Sequence, residues 1–111
     1  MISYKKVALA TLMGLSLLGT AASADADKGQ RIYQKKLKSV CGVSGAVFAA
    51  KNDQGTWEEA KDNGTLGDLM TESCPAGEEF FHSDKFNSKY SSHLYDFVNK
   101  FASDSGNIPS C

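Results

Sequence analysis

Apolar residues in this chain recur mainly at intervals of three and four, with one continuous apolar run near the start and no alternating stretch. From Lys28 onward, Ile32, Tyr33, Leu37 and Val40 fall at helical spacing, and Asp25 and Asp27 stand where they can cap a helix and complement its positive end. Gly42 and Gly45 break that pattern. Residues 46–51 predict a short buried helix with Phe48 in the core, and residues 52–55 carry turn chemistry. Thr56 followed by Glu59 reads as a capping box opening a helix that holds Trp57 and ends near Gly64. Thr65 and Asp68 repeat the device, with Leu66, Leu69 and Met70 as the apolar side of the next helix. Cys74-Pro75 stops it, because a residue before proline avoids helical angles. Residues 76–89, polar with scattered aromatics, predict a loop or one short turn. The clearest helix follows: Leu94, Phe97, Val98 and Phe101 share one face with Tyr90 a turn earlier, while Ser92, Asp96, Asn99 and Lys100 stay outside, and Gly106 and Pro109 end it. With no alternating strand pattern and no repeat, the fold class is all-α.

The continuous apolar run, residues 7–18, follows Lys5 and Lys6 and precedes Ala22-Ser23-Ala24, a small-x-small site. This is the layout of a secretion signal over residues 1–24, with cleavage after Ala24. The run is short of the roughly 20 residues that cross a bilayer, and no later segment is apolar enough to span, so no membrane span is expected after cleavage. Residues 25–111 then form one all-α domain in a periplasmic or otherwise secreted compartment.

Charge and cysteine count narrow the chemistry. Loss of Lys5 and Lys6 takes the formal charge from −1 to −3, and a mildly acidic domain is a poor match for nucleic acid. Helix one nevertheless carries a basic stripe, Lys28, Arg31, Lys35, Lys36 and Lys38, which reads either as solvated surface or as a docking patch for an acidic partner. A domain of this size builds one modest core, which a disulfide, metal or cofactor often supplements. Cys41, Cys74 and Cys111 are three in number, so at most one intramolecular disulfide forms. Cys41 can be half of a disulfide, a thiolate ligand, or a free or intermolecular thiol. His82 and His93, the two histidines, have no acidic or cysteine ligand at zinc spacing. Glu58-Glu59 and Glu78-Glu79 are adjacent pairs that do not face one another on a helix. No nucleophile has a base and an orienting partner, and no glycine-rich loop has phosphate spacing. The chain is not expected to be an enzyme.

A glycine, an aliphatic residue and an aromatic on a first helix, a loop ending in glycine, and a closing aromatic-rich helix together resemble the class I c-type cytochromes. Members of that family begin G-x-x-[aliphatic]-[FY]-x-x-x-C-x-x-C-H-G, and Gly29, Ile32, Tyr33 and Gly42 fall at matching positions. In that register Leu37 and Val40 replace the two haem-attaching cysteines and Cys41 replaces the axial histidine, so covalent haem is not expected. The resemblance covers the two terminal helices and implies that they pack together, with Gly29 and Tyr33 against the face from 94 to 101.

Two expectations follow from the resemblance. In the first, the domain serves electron transfer with a periplasmic redox protein as partner. It would bind haem noncovalently through Cys41, since thiolates do ligate haem iron, with Met70 or His93 opposite. Met70 lies where the family commonly supplies a sixth ligand, although a methionine on the apolar side of a helix is ordinarily core. In the second, haem is gone and the scaffold is a disulfide-stabilised binding or accessory module. The close terminal packing implied by the resemblance favours Cys74 with Cys111, tying down a serine-rich tail and leaving Cys41 free; the other two pairings stay open.

Overall fold

The computed structural model describes residues 26–108. The secretion signal of residues 1–24 and the terminal Cys111 lie outside the described residues. Six helices follow one another in this span, with no strand among the described residues. They are α1 (26–41), α2 (Gly45–Ala49), α3 (Gln54–Asp62), α4 (Leu66–Ser73), α5 (Glu78–Phe81) and α6 (84–100). The all-α class holds, and the first and last helices pack together.

Gly29 explains how α1 and α6 come so close. A methyl group built on its backbone would overlap the carbonyl oxygen of His93 and lie 2.7 Å from both the His93 carbonyl carbon and Phe97 Cβ. Only a residue without Cβ lets the two backbones meet there. One turn on, Tyr33 is fully buried, stacks on Phe97 at 6.1 Å and on Phe48 at 5.1 Å, and donates its hydroxyl to the Val43 carbonyl at 2.7 Å. That bond spans from the middle of α1 to the loop after it, so a buried phenol finds the partner it needs.

Both long helices contain a π-turn, Tyr33–Leu37 in α1 and Phe86–Tyr90 in α6, each closed by an N–H five residues on from its carbonyl. A π-turn inserts one residue and rotates everything after it. In α1 the inward face therefore runs from Tyr33 through Leu37 to Cys41 instead of Val40. Val40, expected on the apolar face, is 45% exposed. In α6 the same insertion sets Phe86 in phase with Leu94, both buried.

The short helices wall the core. Ser44 caps α2, accepting from the Val47 N–H, and the helix buries its own Phe48 and Ala49. Phe48 is the hub, against Tyr33, Trp57 at 5.9 Å and Phe81 at 6.2 Å. Trp57 donates its indole N–H to the Ala49 carbonyl at 2.9 Å. Helix α3 starts three residues before the expected capping box: Asp53, not Thr56, is the N-cap, accepting from the Thr56 N–H at 2.7 Å. Hydrogen bonds from Thr56 hold the Asp53 carboxyl below the usual carboxylate range. Thr65 stands at the N-cap of α4 as expected, but its hydroxyl donates back to the Ala60 carbonyl and makes no cap bond.

Residues 76–89 are not a loop. A 3-10 turn, Pro75–Gly77, leads into α5, and α6 begins at residue 84, N-capped by Ser83, whose hydroxyl accepts from the Phe86 N–H at 3.1 Å. Phe81 and Phe86 are core residues packed edge to face at 5.7 Å. At its other end α6 stops at Lys100, before Gly106. The segment after it is fastened by hydrogen bonds: Ser103 N–H to the Asn52 carbonyl, Gln54 N–H to the Asp104 carboxylate, and the Asn107 amide to the Lys100 carbonyl.

Candidate functional site

Cys41 and Cys74 form a disulfide, with sulfurs 2.07 Å and Cα atoms 5.5 Å apart. The π-turn points Cys41 inward at the last turn of α1, and Pro75 stops α4 so that Cys74, 4% exposed, faces it. The bond staples the end of α1 to the end of α4. This corrects the favoured pairing of Cys74 with Cys111. That pairing rested on a tail in need of an anchor, and backbone and side-chain hydrogen bonds already fasten the tail as far as residue 107. Cys111 lies outside the described residues.

The three expected haem ligands are not brought together. The Cys41 sulfur has a second sulfur as its partner and carries no thiolate lone pair for iron. Met70, one turn before Cys74, is fully buried in the same cluster as Leu37, Phe48, Trp57 and Phe81. This is the packing of an ordinary core methionine. His93 is at the other end of α1: its backbone crosses Gly29, and the twelve residues from Gly29 to Cys41 put about 18 Å of helix between them. The core between the helices is filled by the ring of Phe48 and its neighbours Tyr33, Trp57 and Phe81. As a set, Cys41, Met70 and His93 do not fit haem.

A different set of residues converges on the outer side of the α1–α6 crossing. Ile32, Tyr90 and His93, all half-buried, line a groove of about 280 Å³ together with Lys28, Arg31, Lys35, Lys36 and Lys89. The Lys36 ammonium lies 5.8 Å from the centre of the Tyr90 ring. Four of the five cations in the predicted stripe meet here. Lys38 does not: it lies beyond the π-turn, beside a separate depression with Gln34, Gly42 and Ser44. Lys89 reads in the sequence as part of a polar loop and Tyr90 as the first residue on the apolar face of the last helix, so their place in this groove was not legible. The other histidine, His82, is exposed and lies 3.5 Å from the Asp68 carboxylate on α4. Among the described residues no group of three His, Cys, Asp or Glu side chains is arranged to hold a metal ion, and no helix is long and apolar enough to cross a membrane. In comparisons with known proteins, no family model, no curated sequence and no solved structure matches this chain.

Proposed function

We propose that this chain is a haem-free, disulfide-stapled binding or accessory module of a periplasmic or secreted compartment, built on a cytochrome c-like arrangement of terminal helices. The observation that carries the reading is the Cys41–Cys74 bond, which takes up the one sulfur the resemblance offers as a haem ligand and uses it to join two helices. A disulfide of this kind suits an oxidising compartment, in keeping with the signal-like residues 1–24. The glycine crossing and the Tyr33–Phe97 stack give the domain the terminal packing expected of the resemblance while needing no prosthetic group to fill the core. What remains chemically available is surface: the cationic groove at the α1–α6 crossing.

The visible spectrum of protein purified under oxidising conditions from cells making haem tests this. The expected result is no Soret band and an intact mass equal to the polypeptide less two hydrogens for one disulfide. A Soret band that stays with the protein through gel filtration contradicts the reading and restores the electron-transfer alternative.

A further inference from the structure

Resting on the reading of the chain as a binding module, we propose that the α1–α6 groove docks an acidic protein segment carrying one apolar anchor side chain. Beyond residue 24 the chain has ten Lys and Arg and thirteen Asp and Glu; five of the cations line this groove and none of the acids does. Lys61 pairs with Asp62 and His82 with Asp68, both away from the groove. A positive groove on a domain that is negative elsewhere attracts an acidic partner at close range, and the remaining surface turns that partner away.

The shape decides which kind of anion fits. Lys28, Arg31, Lys35 and Lys36 extend over nine residues of α1, about 12 Å, with Lys89 facing them from α6. A single carboxylate or fatty acid headgroup answers one or two of these cations, whereas a chain segment bearing several carboxylates answers the row. The floor is apolar, made by Ile32 and the Tyr90 ring, and the groove's volume of about 280 Å³ suits one aliphatic or aromatic side chain. Phosphate backbones have no use for such a floor. A membrane surface would call for apolar side chains that protrude, and Ile32 and Tyr90 are recessed between the helices.

Binding of the purified, oxidised protein to a short labelled peptide with glutamates flanking one tryptophan tests the proposal, read by fluorescence anisotropy and by amide resonance shifts. The peptide is expected to bind at low salt, to shift Arg31, Ile32, Lys35 and Tyr90, and to weaken as salt is added. Reversing two exposed cations, Arg31→Glu with Lys35→Glu, should weaken binding by about tenfold or more at an unchanged melting temperature. A peptide with serine in place of tryptophan should bind less well. No binding at low salt, equal binding to the reversed variant, or tighter engagement of octanoate or phosphatidylglycerol vesicles by the same residues would overturn it. The two readings fail separately: a Soret band removes the haem-free reading whatever the peptide does, and spectrally silent protein that ignores the peptide removes the docking site alone.

Discussion

Gly29→Val is expected to lower the unfolding free energy by about 3 kcal/mol, a melting temperature shift on the order of 15 °C for a domain of this size. A Cβ at residue 29 meets the backbone of His93 and the Cβ of Phe97, neither of which is the far end of a flexible side chain, so α1 and α6 must move apart. That movement loosens the Tyr33–Phe97 stack one turn away and the Leu94 and Val98 contacts behind it. Gly29→Ala isolates the cause. Alanine is the better helix former by about 1 kcal/mol, so propensity alone predicts stabilisation, and the close crossing predicts the opposite sign. Urea denaturation of both variants checks this, and a stabilised Gly29→Ala protein would show that the helices do not meet at residue 29.

Replacing Cys41 and Cys74 together by serine is expected to cost about 4 kcal/mol, the chain-entropy value for a closed loop of this length. The staple joins α1 to α4 across 33 residues of sequence that include α2 and α3, so its loss loosens the ends of both helices and the wall that Phe48 and Trp57 complete. Chemical denaturation of the oxidised, reduced and double-serine proteins checks it. The reduced wild type and the variant should unfold at nearly the same denaturant concentration, well below the oxidised protein. If all three coincide, the bond contributes nothing to the fold.

The elements that obeyed helical periodicity were legible in the sequence. Tyr33, Leu94, Phe97 and Val98 stand in the core where their spacing put them, Phe48 where a short apolar run put it, and Gly29 at the crossing that the cytochrome resemblance implied, and Pro75 ended α4 as its chemistry requires. What escaped has one main cause. Each long helix contains an inserted residue, and a pattern read at constant pitch runs out of phase beyond it. The insertion sent Val40 to the surface and turned Cys41 inward, while the first two turns of α6 read as loop because Asn87, Ser88 and Lys89 make that stretch polar. The short helix α5 offered too few residues for a period to register. Asp53 and Ser83 carried cap signals that stronger-looking patterns nearby obscured: a threonine and glutamate at capping-box spacing in one place, and in the other a polar stretch without an evident helix to cap.

The candidate site divides along the same line. The basic stripe was visible because its members lie on one turn after another of α1. The groove it borders was not, since Lys89 and Tyr90 join it through the π-turn of α6. Cysteine pairing was beyond periodicity altogether. The alternatives closed loops of similar entropy, and the choice among them depended on which helix ends the packing brought together and on how the tail was already held.

Tryptic mapping of the unreduced, alkylated protein shows whether Cys41 serves as a structural staple. Cleavage at lysine and arginine separates all three cysteines onto different peptides. A single disulfide-linked pair is expected, joining the peptide of Cys41 to that of Cys74 and collapsing into two on reduction. Alkylated Cys41, or a linked pair containing Cys111 and Cys74, would contradict it.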